Sequence, residues 1–493
     1  FEEALKWYKK LIMSYGGSVD REYYYRYAQT LKSVGNYKEA DLYMHAFAKL
    51  NPNDTRVKIF LNNRKELEKS EDLRKQYNIK NLSMNSALRD FGASYFNKSI
   101  IFSSSRNDSN EKNKDLKIHE WNNEPYLDMH IATRDSLSGE LYEISKWDSN
   151  LNSDLHESTP VFAKDYKIVY YTGNTIEKRE VKKIKNGKIE TNMLKIFSSS
   201  VNKKGEWSKP KELPFCSDEY STAHPALSTD GTKMYFSSDM PGGKGESDIY
   251  EVEIKSDGTF GDPKNLGDII NTEGKETFPF IDSNDVLYFA SDGHLGYGGL
   301  DVFKIAIKDI EDGKNTILNL GEPINSKDDD FCFAIQTNLK RGYFSSNRLG
   351  GKGKDDIYSF EEIEFREGDD LAMKLQLNTI YFDLDKSFIR PDASVILDKV
   401  VDVMNRYPNM KIYIRSHTDS RASKLYNEGL SERRALSTRN YLVKNGISTS
   451  RLDNKGFGEY ELVNHCSDGV KCNEEEHQLN RRSEFIITQL NNK

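Results

Sequence analysis

The chain has 493 residues, 30% of them charged, with a net charge of −7 and a pI near 5.9. At roughly 150 residues per domain this length suggests about three domains. The acidic balance offers no broad basic surface for nucleic acid or an anionic membrane, and no apolar run approaches the roughly 20 residues of a spanning helix. The sequence opens at Phe1 inside a helical pattern, so it is read as a fragment or mature core whose lack of a leader says nothing about targeting.

Residues 1–75 carry helical periodicity. Phe1, Ala4, Trp7 and Leu11 share one face, and Tyr25, Tyr27, Ala28, Leu31, Gly35, Asn36, Tyr37, Ala40 and Pro52 place small residues where two antiparallel helices must approach closely. The pattern resembles tetratricopeptide (TPR) repeats. Such repeats stabilise one another by stacking, so further helices are expected upstream of Phe1. Tyr23, Tyr24, Tyr25 and Tyr27 are candidates for a peptide groove, with packing between helices the preferred role.

From 76 to 362 the pattern changes to short strands and turns. Three segments repeat: Ala223 to Leu227 leading to Tyr235-Phe236-Ser237-Ser238-Asp239, Thr277 to Phe280 leading to Tyr288-Phe289-Ala290-Ser291-Asp292, and Asp330 to Phe333 leading to Tyr343-Phe344-Ser345-Ser346-Asn347. Each continues to Asp248-Ile249-Tyr250, Asp301-Val302-Phe303 or Asp356-Ile357-Tyr358, and looser copies start at Asp90 and Ser158. The tyrosines recur at 53 and 55 residues, the length of a four-stranded propeller blade with generous loops. The copies resemble PD40 and WD40-like blades, which implies a five-bladed β-propeller, six being the alternative. Residues 78–83 are expected to supply the outermost strand of the last blade, hiding two sheet edges.

Enzyme signatures are missing from this region: no G-x-S-x-G elbow, H-E-x-x-H helix or GKS/GKT phosphate loop occurs. The glycine-rich stretches at 242–245, 296–299 and 350–353 and the aspartates 239, 248, 292, 301 and 356 recur at fixed blade positions. That recurrence favours turn-stabilising hydrogen bonds over phosphate, calcium or acid-pair chemistry. No catalytic residue, metal or cofactor is expected. Cys216 and Cys332 are read as small buried residues.

Residues 363–376 read as a linker and 377–493 as a β-α-β-α-β unit. Tyr381 to Asp383 closes a strand, Pro391 opens a helix, and Met410 to Ser416 alternates as a strand with Ile412 and Ile414 on one side. Ser431 is the expected N-cap of a second helix ending before Gly446, with Arg434 in its first turn, where backbone N–H groups favour an anion. Ser483 to Leu490 is the last strand. Ser416-His417-Thr418-Asp419, Asn427, Leu430-Ser431, Arg433-Arg434-Ala435 and Asn480-Arg481-Arg482 together resemble the signature of the OmpA peptidoglycan-binding family.

Fifteen positions separate Asp419 from Arg434, as in that family. A diaminopimelate side chain ends in an ammonium and a carboxylate on one carbon. A fixed anion, Asp419, and a planar guanidinium, Arg434, suit those two ends. The resemblance adds Thr418, Asn427 and Arg482 as supporting residues and a structural role for His417. Ala422 stands where the family has glycine, so this loop must avoid a glycine-only conformation. Cys466 and Cys472 bracket a short polar loop and form a disulfide candidate, implying an oxidising compartment. Free thiols, or half a zinc site with His465 and His477, are the alternatives.

The order of helical repeats, propeller and OmpA-like domain resembles the PorE-like multidomain OmpA family of type IX secretion and gliding machinery. The resemblance implies a non-enzymatic periplasmic scaffold that binds the peptidoglycan stem peptide and tethers an outer-membrane secretion or adhesin complex built on a PorP/SprF-type barrel. It also implies a lipid anchor to the outer membrane upstream of Phe1. Family members carry a regulatory-like β-sandwich between propeller and C-terminal domain, where this chain has only the charged junction near Arg366 to Asp370. A wall-targeted propeller hydrolase and a Tol-Pal-like envelope integrity factor are the competing functions.

Overall fold

The computed structural model describes residues 2–70, 76–106, 118–119, 123–135, 138–148, 150–174, 193–375 and 377–490. Phe1 and residues 71–75 of the expected helical region, and Gln376 of the expected linker, lie outside them. Two compact units divide the chain: Phe1–Ser70 with Ile79–Glu361, and Glu71–Asn78 with Glu362–Lys493.

The first unit opens with helices Glu2–Tyr15, Glu22–Ser33, Tyr37–Leu50 and Thr55–Ser70. Gly35, at φ 78°, makes the left-handed turn out of the second helix. Asn36 caps the third by accepting from Glu39 N at 3.3 Å. Ala28 and Ala40 are fully buried, which lets the second and third helices close on Tyr25, Tyr27 and Phe47. Tyr25 and Tyr27 thus pack between helices, whereas Tyr23 is exposed.

The helices also hold the sheets of their own unit. Tyr25 Oη and Gln29 Nε2 both donate to the Asp292 carbonyl. Glu273 accepts from Thr55 N at 3.0 Å, and Arg26 pairs with Glu246 at 2.8 Å. Arg56, buried, bonds Glu22 and Asp54 while lying 4.0 Å from the Tyr25 ring centre.

Five four-stranded sheets follow among the described residues. Their first two strands are Asp90–Phe96 with Ser99–Ser104, Glu157–Phe162 with Ile168–Asn174, Thr222–Leu227 with Lys233–Ser238, Glu276–Ile281 with Val286–Ser291, and Asp330–Gln336 with Arg341–Ser346. These are the repeats and looser copies of the sequence. The last sheet takes its fourth strand, Gln76–Asn81, from before the first.

Each first strand carries a bulge at a residue with positive φ: Gly92, Thr159, His224, Phe278 and Cys332. The first strands contact one another in the order 90–96, 157–162, 222–227, 276–281, 330–336 and back to 90–96. Phe278 to Phe331 and Phe331 to Phe91 are 5.0 and 5.9 Å between ring centres. Burial pushes the His224 imidazole down to about 3. Cys216 and Cys332 are half-buried, against the expectation of full burial, and burial raises both thiols.

The recurring aspartates serve the glycine-rich turns. Asp248 accepts from Lys244 N and Gly245 N, Asp301 from Tyr297 N and Gly298 N, and Asp356 from Lys352 N and Gly353 N.

In the second unit, strands Ile380–Tyr381, Arg482–Gln489, Lys411–Ser416 and Leu452–Gly456 form one sheet in that order, the last pair parallel. Helix Pro391–Arg406 contributes Leu397, Val400 and Met404 to a core shared with Ile412, Ile414, Leu442 and Phe485. Three expectations are corrected here. The unit has an additional strand, Leu452–Gly456, and an additional helix, Glu474–Asn480, beyond β-α-β-α-β. The second long helix is Lys424–Lys444, capped by Ser423, so Arg434 lies in its middle and not in its first turn. Ser431 instead donates to Glu428 O and accepts from Gly458 N within the helix. Finally, Phe365, Leu371 and Ala372 of the expected linker are buried in the C-terminal core, and helix Leu371–Lys374 is capped there by Asp370.

Candidate ligand-binding site around Asp419 and Arg434

Strand Lys411–Ser416 ends in the turn His417-Thr418-Asp419. His417 N donates to Arg482 O at 2.9 Å and Thr418 N to Gly458 O at 2.9 Å, which ties the turn to strand Arg482–Gln489 and to the segment just past strand Leu452–Gly456. Asn427 closes it from the following helix. Its Nδ2 donates to Asp419 O (3.0 Å), Ala422 O (3.3 Å) and buried Glu459 Oε2 (2.5 Å). Asn427 therefore positions the loop through its backbone. Ala422 is not among the residues of positive φ, so the loop needs no glycine there.

Asp419, 5% exposed, is the carboxylate at the centre of this loop. Its Oδ2 accepts from Arg421 Nη2 and Arg481 Nη1, each at 2.7 Å. Burial alone would raise its pKa, but these two guanidinium groups outweigh burial and hold the carboxyl below its ordinary range. Glu474 completes the network by accepting from Arg421 (2.7 Å) and Arg481 (2.6 Å). Arg421 is the exposed member of the two, with a third of its side chain in solvent, while Arg481 is enclosed.

Arg434 is the largest fully buried side chain of the protein's described residues. Among the described residues it pairs with no carboxylate. Its Nε, Nη1 and Nη2 donate to the carbonyls of Lys386 (2.8 Å), His417 (3.1 Å) and Asp383 (3.0 Å). Desolvation, and then repulsion from Arg481, bring it down to about 10, and Asp419 acts in the opposite sense. A guanidinium has five N–H donors, so three carbonyls leave donor capacity for an anion. The loop it holds, 383–388, exposes Leu384 and Phe388, and Tyr426 beside it donates to Asp385.

The structure thus brings Asp419, Thr418, Asn427 and Arg434 into one region. The hydroxyl of Thr418 is buried there without a hydrogen-bond partner among the described residues. Arg482 is not part of it. Its Nη2 pairs with Glu484 at 2.7 Å and its Nη1 donates to Glu461 O. The residue that reaches Asp419 from this motif is Arg481, which stands just before strand Arg482–Gln489. The signal was present, since Asn480-Arg481-Arg482 enters a strand and neighbours there face opposite ways. His417 stacks on Phe457 (5.6 Å, 24°) and lies 3.6 Å from Glu484, away from Asp419's partners. Cys466 and Cys472 are joined by a disulfide with Cα atoms 5.9 Å apart, and Cys466 O accepts from Ser420 Oγ at 2.6 Å. His477 is buried, and the imidazole that faces the disulfide is His465.

The chain is 33% identical over 124 residues to the peptidoglycan-associated lipoprotein of Agrobacterium fabrum, spanning 25% of this chain and 64% of that protein. It is 39% identical over 93 residues to the one of Rhizobium meliloti (19% and 52%). A photosystem I P700 chlorophyll a apoprotein A2 of Gloeobacter violaceus is 40% identical over 118 residues, only 13% of its length. The chain therefore spans less than two thirds of each of these relatives. The crystal structure of a peptidoglycan-associated lipoprotein from Burkholderia pseudomallei superposes on 23% of this chain and 92% of its own, at 23% identity and a TM-score of 0.21. Residues 381–475 match the OmpA family, so the chain carries an OmpA-family domain at its C-terminal end.

Proposed function

We propose that this protein is a non-enzymatic periplasmic scaffold that grips peptidoglycan through the Asp419 loop and carries a larger assembly on the rest of the chain. The observation that carries the reading is that a buried Asp419, its carboxyl held below the ordinary range, shares one region with an enclosed Arg434 that has spare donors. These are the two fixed charges an α-amino acid terminus needs. The ammonium of the stem-peptide diaminopimelate takes the place of Arg421 on Asp419. Its carboxylate turns toward the free donors of Arg434 and the unpartnered Thr418 hydroxyl. Arg481 and Asn427 hold the loop in shape. The relatives that bear the name peptidoglycan-associated lipoprotein support the ligand class and a lipid anchor, and a similar outer membrane porin F of Pseudomonas fluorescens supports a location at the outer membrane.

For the first unit we propose a five-bladed propeller with a docked TPR-like array. The circuit of first strands and the fourth strand supplied by Gln76–Asn81 support this closure. Broad rigid faces of this kind suit a protein partner, and we assign that role to an outer-membrane barrel or secretion complex of the PorE-like, type IX kind. Many copies along the wall would add avidity to a weak single site.

The test is co-sedimentation of the full chain with purified sacculi. Wild type should pellet, and Asp419→Asn, which keeps the side chain's shape and removes its charge, should stay in the supernatant. Sacculi cross-linked through lysine in place of diaminopimelate should bind poorly, because they lack the second carboxylate. Equal pelleting of wild type and Asp419→Asn would sink the proposal.

A further inference from the structure

Beside the wall site, the loop before helix Glu474–Asn480 gathers four side chains that the proposed function does not use. His465 Nε2, the sulfurs of Cys466 and Cys472, and a carboxylate oxygen of Glu476 all lie within 4.8 Å of one another. Cys472 Sγ is 3.7 Å from His465 Nε2, and Glu476 Oε1 is 4.0 Å from the same nitrogen. The other oxygen, Glu476 Oε2, accepts from Asn473 N at 2.8 Å in the helix's capping box, which fixes the carboxylate and leaves Oε1 turned to the imidazole. Separations of about 3.5 to 3.7 Å are the edges of a tetrahedron with zinc–nitrogen and zinc–sulfur bonds near 2.0 and 2.3 Å. The two cysteine Cα atoms lie 5.9 Å apart.

We infer that reduction of the Cys466–Cys472 disulfide converts this loop into a zinc site with His465, Cys466, Cys472 and Glu476 as ligands. A dithiol reductant supplies two electrons and two protons, breaks the S–S bond, and is itself oxidised to a disulfide. Zinc then replaces the two thiol protons, which leave to solvent, and the neutral imidazole and the carboxylate complete the set. Two thiolates, one nitrogen and one oxygen select a borderline-soft, tetrahedral ion. The disulfide and the metal thus close the same loop in two redox states. Either closure keeps Cys466 O against Ser420 Oγ and Glu474 beside Arg421 and Arg481, so the Asp419 loop stays buttressed when the disulfide is lost.

The full chain, reduced by a phosphine under nitrogen and freed of metal, is titrated with Co²⁺ as a spectroscopic stand-in. Reduced wild type should show thiolate-to-cobalt charge transfer that saturates at one equivalent and is abolished by Zn²⁺. Oxidised wild type should show none. His465→Ala should weaken binding roughly tenfold or more. The Cys466→Ser/Cys472→Ser double variant retains Cys216 and Cys332 and should lose the charge transfer. If the band persists in that variant, or is missing from reduced protein whose amide exchange in Lys411–Ser416 is native, the inference is wrong. It is equally overturned if reduction abolishes that protection and zinc does not restore it.

Discussion

Replacing Arg434 tests whether this guanidinium is a structural clamp as well as a ligand group. In Arg434→Ala the carbonyls of Asp383, Lys386 and His417 lose their donors inside the protein. At about 1 to 3 kcal/mol for each buried unsatisfied group, the loss is roughly 3 to 9 kcal/mol. Removing a charge that the site itself disfavours offsets part of it. The drop to about 10 is roughly 2.5 pKa units from the ordinary value, or on the order of 3 kcal/mol. The net expectation is a second unit destabilised by about 0 to 6 kcal/mol, whose upper end is a large share of the 5 to 15 kcal/mol a domain has. Amide exchange by mass spectrometry in strands Lys411–Ser416 and Arg482–Gln489 reads this directly. The four tryptophans lie between residues 7 and 207, so their fluorescence serves as a control that the first unit is intact. Arg434→Lys keeps the charge but offers its three donors from one compact nitrogen in place of the spread planar fork that reaches Lys386 O, His417 O and Asp383 O, and should lose nearly as much. Exchange protection unchanged by Arg434→Ala would refute the clamp.

Other substitutions separate the remaining roles. Arg421→Ala should leave wall binding intact or strengthen it, at a stability cost below about 1 kcal/mol, because Arg421 competes for Asp419 from an exposed position. Release from sacculi in that variant would contradict the displacement. Glu276 is buried and its carboxyl is raised to about 8 by desolvation, so the folded state holds a proton that the unfolded chain gives up near the ordinary carboxylate range. Its contribution is complete below that range and lost as pH rises through about 8. Glu276→Gln should flatten this decline in denaturant titrations of the first unit, and an identical pH profile would argue against it. Arg56→Met breaks a buried ion-pair cluster with Glu22 and Asp54 and should cost about 3 to 5 kcal/mol, read by tryptophan fluorescence during urea unfolding.

Three of the repeats were legible because each carries both the apolar alternation and a turn aspartate, Asp248, Asp301 or Asp356, and the two looser copies were found by the alternation alone. The region around Asp419 was legible because Ser416 to Asp419, Asn427, Leu430 to Ala435 and Asn480 to Arg482 together resemble the OmpA signature; the helix that carries Asn427 and Arg434 was itself begun too late. Strand Leu452–Gly456 was not, since its Leu-Asp-Asn-Lys-Gly sequence buries only Leu452 and takes its register from a parallel neighbour. The helix start was misplaced for a related reason: Ser423 and Ser431 are both plausible caps in sequence, and only the contact with Gly458 shows that Ser431 is spent elsewhere. Phe365 and Leu371 were lost in a charged run, because burial of two apolar residues separated by Glu367, Asp369 and Asp370 leaves no periodic trace. Arg481 and Arg482 differ by one position, and a one-residue choice of face decides which of them meets Asp419.

The chain enters the β region on Gln76–Asn81 and leaves it on Asp356–Ile363, and these two strands are neighbours in one sheet. Tension drawn through the two ends of that region is therefore borne by a single hydrogen-bonded pair. The other four sheets take no part in that pair, and the helices bond to the β region separately through Asp292, Glu273 and Glu246. A protein that links two moving bodies could be stretched to the rupture of this one pair while the surfaces of the remaining sheets keep their shape.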